Sequence, residues 1–172
     1  MEQRGLQREA NLYKSVNHDA NFYSTNYYGQ AKSTPHEGYE KKEGEPESGD
    51  DAYSDLDALV RFAYESPEED FVAEAEAWFD LDEFMDWFLL VHFTHSQDSA
   101  GKNVYLYNDP EDWGFRYAPW DFNASFGQNW RTVRIGAGDF DDYIWANNLF
   151  RRFQVHDSLA PLLWDRLAQL MA

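Results

Sequence analysis

Two short aromatic segments separated by a turn constrain this fold more than any other feature of the 172-residue chain. Residues 103–107 alternate with a period of two, residues 108–112 include Asn, Asp and Pro, and residues 113–118 are again rich in aromatic side chains. Such alternation is typical of a strand with one buried face, and the Asn-Asp-Pro sequence favours a turn. The segment therefore predicts an antiparallel β-hairpin, whose two outer ends lie side by side.

Three polar residues lie at the outer ends of the predicted hairpin. Asp98 and Asn103 come just before the first strand, and Asp121 follows the second. Phosphoryl transfer requires such a set, because one carboxylate takes a proton from the acceptor hydroxyl while an amide oxygen and a second carboxylate hold a metal ion on the phosphates. Asp and Asn at this spacing occur by chance in any acidic chain, so the order of the elements is what indicates a phosphoryl-transfer site.

Each of these residues also has a plausible structural role. Asp98 could cap a loop after a helix, and Asn103 could satisfy the backbone of its own turn. Asp121 lies between Trp120 and Phe122 in sequence. In such an apolar setting we expect a carboxylate to be paired or bound to a metal, because burying it alone is costly.

The rest of the chain predicts an α+β fold. Helices are expected from Ser54 with Asp57 to about residue 64, from Ser66 to about residue 78, and from Asp80 with Glu83 to about residue 93, each starting at a capping residue. The third is apolar around most of its circumference, which predicts a buried helix that ends just before the hairpin region. Helical patterns close the chain at about residues 146–153 and 159–171. Residues 11–16 suggest a short strand, and residues 39–50 suggest an exposed loop.

Composition excludes several classes of function. The net charge is −18, and residues 37–86 contain nineteen acidic side chains against three basic ones. Such a surface repels nucleic acids and anionic membranes, so neither is an expected partner. The absence of cysteine excludes disulfides and thiolate chemistry, and no apolar run is long enough to span a membrane.

The hairpin region resembles a known protein family. The order of catalytic loop, hairpin and metal-binding Asp is that of the C-terminal half of a protein kinase. More closely, Lys-Asn-Val-Tyr-Leu-Tyr-Asn-Asp-Pro (102–110) and Trp-Gly-Phe-Arg-Tyr-Ala-Pro-Trp-Asp-Phe-Asn-Ala-Ser-Phe-Gly (113–127) resemble the CotH family of spore-coat and secreted kinases. Residues 11–14, 39–42 and 148–152 fit the same family pattern, so the resemblance covers roughly the whole chain.

This resemblance implies an atypical protein kinase that uses ATP and Mg²⁺ to phosphorylate serine residues of a protein substrate, outside the cell or at the cell or spore surface. By position, Asp98 matches the catalytic Asp of the family, Asn103 its metal-binding Asn, and Asp121 its metal-binding Asp. Asn123 stands where the family's Trp-Asp-x-Asp motif usually has a second Asp, and it would supply an oxygen ligand without a charge. Lys102, beside Asn103, could neutralise a phosphate of the nucleotide.

The resemblance also implies a domain organisation. Residues 1–172 would form one kinase-like domain, with a polar, loop-rich entry segment at 1–53 and a catalytic portion of helices and hairpin at 54–172. The family's nucleotide-clamping portion, with a Lys that contacts phosphate, should precede residues 11–14, where this chain has only ten residues. We therefore expect a partial domain that is inactive by itself.

Two other functions remain open. A kinase-like fold could serve as a non-catalytic surface binding module or adhesin, which Asn123 favours and the intact Asp98 and Asp121 oppose. A glycosidase could use Asp98 and Asp121 as paired carboxylates, but that mechanism has no use for Asn103.

Aromatic and histidine side chains allow two further interpretations. His92 and His95 could share a zinc ion with Asp98, although a His pair at a helix end is more often structural. Four aromatic residues around the hairpin could form a stacking platform for sugars or bases, although large aromatic residues beside a hairpin more often belong to the core. They are Trp113, Trp120, Phe126 and Trp130.

Overall fold

The computed structural model describes residues 10–96, 98–109, 112–136 and 143–172. It has the predicted α+β organisation, with helices packed on a four-stranded antiparallel sheet. The strands are β1 (Asn11–Ser15), β2 (Tyr39–Glu43), β3 (Val104–Asp109) and β4 (Asp112–Pro119). The helices are α1 (Ser54–Glu65), α2 (Glu68–Trp78), α3 (Leu81–Thr94), α4 (Asp98–Gly101), α5 (Tyr143–Ala146), α6 (Asn148–Val155) and α7 (Ala160–Leu170).

The sheet has the order β2-β1-β3-β4. β3 and β4 form the predicted hairpin, in which Val104 is paired with Pro119. β1 lies against β3, with Lys14 opposite Tyr105. The polar entry segment and the hairpin portion therefore share a single sheet, and β1 confirms the short strand predicted near residues 11–16.

The prediction of a loop at residues 39–50 is wrong for its first part. Tyr39–Glu43 forms β2, which pairs along β1 from Ser15 to Leu12. Glu and Lys have low strand propensity, but the unpaired edge of β1 offers a ladder of backbone hydrogen bonds, and Tyr39 adds a buried ring. Tertiary pairing outweighs local preference here.

Helices α1 and α3 begin near the predicted residues, but only α3 has the predicted side-chain cap. The Asp80 side chain accepts a hydrogen bond from Glu83 N at 2.9 Å, which confirms the cap of α3. The predicted capping by Ser54 with Asp57 is wrong, because Tyr53 is the N-cap of α1 and makes no side-chain cap bond. Asp57 contacts His36 Nδ1 at 2.8 Å instead.

The second predicted helix start is displaced in the same way. α2 begins at Glu68, its N-cap is Pro67, and no side-chain cap bond forms. Ser66, the predicted cap, instead ends α1 as its C-cap. The predicted end near residue 78 is confirmed.

An aromatic core joins α3 to β4 and α6. The Phe84 ring lies 4.4 Å from that of Phe153 and 5.7 Å from that of Tyr117, and Trp87 stacks on Tyr117 at 4.9 Å. The prediction that α3 is buried nearly all round is wrong at its end, because the Phe93 side chain is 79% exposed. The packing of the buried face of α3 positions the end of this helix, from which the chain continues toward the hairpin.

In the described parts of the chain, no helix is both long enough and apolar enough to cross a membrane.

Candidate active site

The hairpin brings two of the predicted site residues to the same end of the sheet. Trp120 N donates a hydrogen bond to Asn103 O at 2.9 Å, which continues the pairing of Val104 with Pro119 by one step. Asp121 follows Trp120 directly. Asn103 and Asp121 are therefore neighbours across the hairpin end, as its antiparallel pairing predicts.

Asn103 and Asp121 share an uncommon backbone conformation. Their φ angles are 58° and 57°, in the left-handed region that side chains other than glycine rarely adopt. Asn and Asp tolerate this region better than other residues, and such positions concentrate at functional sites. The left-handed backbone at both positions therefore favours Asn at 103 and Asp at 121, independently of any ligand.

The exposure of Asp121 corrects one argument from the sequence. Its carboxylate is exposed, although Trp120 and Phe122 on either side are partly buried. An exposed carboxylate has no desolvation cost to offset, so the expectation that apolar neighbours would force it to be paired is wrong. Its accessibility is instead compatible with a ligand that arrives from solvent.

Asp98 is held by the end of α3. The chain leaves α3 through His95, which has a φ of 51°, and Ser96 N donates to Val91 O at 3.0 Å. Asp98 then begins the four-residue helix α4, where a loop was predicted. Trp87 Nε1 donates to Ser99 O at 3.1 Å, which anchors this short helix to the core.

Two basic side chains hold the Asp98 carboxylate, one at each oxygen. His18 Nε2 lies 3.5 Å from Oδ1, and Lys102 Nζ lies 3.4 Å from Oδ2. The hydrogen bond from His18 is the main reason that the pKa of Asp98 is below its ordinary value, and the charge of Lys102 adds to this against the effect of burial. Asp98 is therefore an ionised, oriented carboxylate at neutral pH.

His18 was missed by the sequence analysis. It belongs to the polar entry segment, where a single His carries no periodic or motif signal. The His18 ring also packs closely against the backbone of Gly101, since a Cβ added at Gly101 would lie only 3.3 Å from His18 Nδ1. Gly101 in α4 thus leaves room for the imidazole beside Asp98.

A cleft of about 750 Å³ opens at Asp98 and His18. Its other walls include three exposed aromatic residues, Tyr27, Trp130 and Trp145. Asn103 and Asp121 are not among its lining residues. Asp98 therefore faces a cleft large enough for a peptide segment, while the hairpin end carries the other two predicted residues.

The aromatic residues near the hairpin are only partly in the core. Phe126 and Trp130 are 68% and 63% exposed, whereas Trp120 is partly buried. The interpretation of all four as core is therefore wrong for Phe126 and Trp130, and the side chain of Trp113 lies outside the described residues. The exposed ring of Trp130 in the cleft at Asp98 is available for contact with a ligand.

The loop after β4 is tied to α3. Phe126 N donates to Thr94 O at the end of α3, and Ser125 Oγ donates to Phe122 O at 2.5 Å. This loop carries Asn123, which is exposed. The end of α3 thus anchors both the loop that follows Asp121 and the helix that begins with Asp98.

Lys14 is a second residue that sequence analysis did not assign. Its Nζ lies 4.3 Å above the centre of the Trp120 ring, next to Asp121. The sequence of residues 11–14 fits the family pattern but indicates no role for the lysine. The β1–β3 pairing is what brings this cation to the hairpin end.

The oxygen groups at the hairpin end suit a hard cation. Asp121 offers a carboxylate, and Asn103 and Asn123 offer amide oxygens, which are the ligand types that Mg²⁺ prefers. Within residues 10–96, 98–109, 112–136 and 143–172, no group of three or more His, Cys, Asp or Glu side chains is arranged to hold a metal. Mg²⁺ bound by one or two carboxylates and substrate phosphates needs no such group.

His92 and His95 have other surroundings in the structure. The His92 Nδ1 atom lies 2.8 Å from Phe88 O, and its ring stacks on that of Phe88 at 4.0 Å. His95 occupies the left-handed C-cap position of α3. Both residues have roles in the end of α3, which supports their structural interpretation.

Comparison with known proteins places the chain in a family. The chain matches the CotH family, described as CotH kinase protein, over residues 1–172, and it belongs to that family. It is 30% identical over 134 residues to inner spore coat protein H of Bacillus subtilis (strain 168). That match covers 77% of this chain and 35% of the relative, so the chain spans about a third of the relative's length.

Proposed function

We propose that this protein is an atypical protein kinase, with a kinase-like fold, that transfers the γ-phosphoryl group of ATP to serine residues of a protein. The observation that carries the proposal is the Asp98 carboxylate, held between His18 and Lys102 at the edge of an open cleft. The family description supports the same class of activity.

Asp98 would act on the acceptor. A serine hydroxyl in the cleft donates its proton to the Asp98 carboxylate as its oxygen forms a bond to the γ-phosphorus, and the bond from that phosphorus to the bridging oxygen of ADP breaks. His18 and Lys102 keep the carboxylate ionised and oriented, so that it is ready to accept the proton. No covalent enzyme intermediate is required, because positioning and neutralisation of charge supply the rate.

Asp121 and Asn103 would hold Mg²⁺, and Asn123 would assist them. When bound, the ion neutralises charge on the β- and γ-phosphates. Lys102 forms an ion pair with Asp98, the proposed base, and directly precedes Asn103, a proposed metal ligand. Its ammonium would therefore lie between the acceptor and the phosphates of the nucleotide. Lys14, above Trp120, is a second cation available to phosphate at this end of the sheet.

The proposed location is the spore surface. The curated relative is named an inner spore coat protein. The net charge of −18 disfavours a nucleic-acid partner, and a protein acceptor is the partner that the cleft at Asp98 would take.

A second candidate function is a non-catalytic binding module on the same fold. Asn123 favours a binding module, because its amide adds no negative charge to the proposed Mg²⁺ ligands. The exposed rings of Tyr27, Trp130 and Trp145 would then serve as a contact surface. This candidate predicts binding of a partner without turnover of ATP.

Nucleotide binding distinguishes the two candidates. We expect the natural gene product that contains these residues to bind ATP in the presence of Mg²⁺, and Asp121→Asn to weaken that binding. Titration calorimetry with and without Mg²⁺ measures both effects. Binding of ATP that is the same with Mg²⁺, with EDTA and in Asp121→Asn would favour the binding module.

A further inference from the structure

A second, smaller pocket lies between residues 24–35 and helix α1. Its volume is about 180 Å³, and it shares no lining residue with the cleft at Asp98. Two of its side chains are basic, Lys32 and Arg61, and the others are mainly hydroxyl side chains. The full lining is Ser24, Lys32, Ser33, Thr34, Pro35, Arg61 and Tyr64. A water molecule occupies about 30 Å³ in the liquid, so the space admits a small oxyanion.

Lys32 is the unusual member of this pocket. Its Nζ atom is buried and has no hydrogen-bond partner among the residues that the structure describes. Burial lowers its pKa to about 8, although the charges of Asp19 and Glu37 act in the opposite direction. A buried ammonium without hydrogen bonds costs folding free energy, so an acceptor from outside the chain would complete the site.

The surrounding groups leave room for that acceptor. Arg61 is paired only loosely with Glu65, at 3.9 Å between Nη1 and Oε1, so its other donors can reach a ligand. The nearby Glu37 carboxylate already accepts from the backbone N and the Oγ of Ser33, both at 2.9 Å. That interaction holds the turn that carries Lys32, and the Lys32 ammonium forms no hydrogen bond with the Glu37 carboxylate.

We propose that this pocket binds a phosphate group. Two cations and the hydroxyl groups of Ser24 and Thr34 match the acceptor oxygens and high charge density of a phosphate, and Lys is a common ligand for phosphate as a point charge. The overall charge of −18 repels anions at long range, so binding here would depend on this local set of donors. The site is separate from the proposed kinase chemistry and does not depend on it.

Binding of small anions to the full chain tests the site. We expect calorimetry to show one inorganic phosphate ion per chain, with sulfate as a competitor. Lys32→Met should weaken phosphate binding about tenfold or more, because it removes a charged donor. The same variant should have a higher thermal midpoint, because it removes a buried, unsatisfied charge. Arg61→Gln should weaken binding without a rise in the midpoint.

The matched control is Lys42→Met, which changes an exposed lysine paired with Glu40 outside the pocket. It should bind phosphate as the unmodified protein does. Phosphate binding that is equal in Lys32→Met, Arg61→Gln and the unmodified protein would overturn the proposal, as would a lack of binding at millimolar phosphate. If Lys32→Met did not fold, unchanged binding in Arg61→Gln would still contradict the site.

The source of the phosphate group is resolved by a second titration. A short peptide that contains phosphoserine is compared with its unphosphorylated form and with inorganic phosphate. Tighter binding of the phosphopeptide than of free phosphate, lost in Lys32→Met, identifies a phosphorylated side chain as the ligand. Equal or weaker binding, with the same loss in Lys32→Met, identifies the free ion. Binding of the unphosphorylated peptide to the same extent would count against a phosphate site.

Discussion

The imidazole of His18 lies 3.5 Å from the Asp98 carboxylate, although His18 belongs to the predicted entry segment and Asp98 to the predicted catalytic portion. The contact joins the polar entry segment to the start of α4, and both residues line the cleft. Together with Lys102 on the other carboxylate oxygen, it fixes the orientation of the proposed base.

Replacement of His18 should raise the pKa of Asp98. His18→Leu removes the hydrogen bond that is the main cause of the low pKa, so the pKa should move up toward the ordinary value of Asp. His18→Gln can still donate a hydrogen bond and should shift the pKa less. Titration of the Asp98 carboxyl by NMR measures the shift, and an unchanged pKa in His18→Leu would show that the contact does not act on the carboxylate.

The same contact has a defined effect on stability. Because the folded-state pKa of Asp98 is lowered, the ionised carboxylate stabilises the fold above the ordinary pKa of Asp, and this contribution is lost as the pH falls through the lowered pKa. Urea unfolding at several pH values should therefore show a smaller loss of stability on acidification in His18→Leu than in the unmodified protein.

The turnover of the proposed phosphoryl transfer should fall about tenfold to a hundredfold in His18→Leu, with partial rescue in His18→Gln.

Much of the framework was predictable because its signals are local. Period-two alternation and an Asn-Asp-Pro turn indicated the hairpin, and Asp80 with Glu83 indicated the start of α3. The hairpin also predicted that Asn103 and Asp121 are neighbours, since antiparallel pairing fixes which ends meet.

Features that depend on distant contacts were not predictable. Nothing around His18 or Lys14 in sequence indicates that they lie beside Asp98 and Trp120, because the sheet order and the α3–α4 connection bring them there. The exposure of Asp121 was also missed, since neighbours in sequence do not determine burial in a loop. Ser54 failed as a cap for a related reason, as Asp57 makes a tertiary contact instead.

Asn103 allows the backbone and ligand roles of one residue to be separated. Asn103→Gly keeps the φ of 58° at low steric cost, whereas Asn103→Ala strains the backbone. We expect Asn103→Ala to lower the free energy of unfolding by about 1 kcal/mol relative to Asn103→Gly. Both variants should lose Mg²⁺-dependent nucleotide binding, because both remove the amide oxygen.

Chemical denaturation and nucleotide titration of the two Asn103 variants provide the measurements. If Asn103→Gly bound Mg²⁺ and ATP as tightly as the unmodified protein, Asn103 would have a backbone role alone. Equal stability of the two variants would show that the left-handed conformation relaxes on substitution.

Asn123 offers a gain-of-function test. Asn123→Asp adds a negative charge two residues after Asp121, at an exposed position where the change should leave the fold intact. We expect Mg²⁺ to bind several-fold more tightly, since an extra carboxylate near a divalent cation is favourable. Asp50→Asn and Gln154→Glu, at exposed positions outside the hairpin end, control for changes in net charge. Unaltered Mg²⁺ affinity in Asn123→Asp would show that Asn123 is not one of the Mg²⁺ ligands.

Arg166 tests the packing of the last helix on the site's scaffold. Its guanidinium bonds to both carboxylate oxygens of Asp86, at 2.7 and 2.8 Å, and to Asp82 Oδ2 at 3.1 Å, which joins α7 to α3. Arg166→Lys keeps the charge but loses the two-pronged geometry, so we expect a loss of stability of up to about 1 kcal/mol. Thermal unfolding measures it, and Arg61→Lys, at an exposed and loosely paired position, should show little change.

The central claim is tested most directly by phosphoryl transfer itself. The natural gene product that contains these residues is incubated with radiolabelled ATP, Mg²⁺ and a serine-containing protein, and the modified sites are mapped by mass spectrometry. We predict label on serine that requires Mg²⁺ and is lost in both Asp98→Asn and Asp121→Asn, with normal transfer in the exposed control Asp50→Asn. Serine labelling that persists in both site variants, or ATP binding by a folded protein that transfers no label to any protein, would contradict the account.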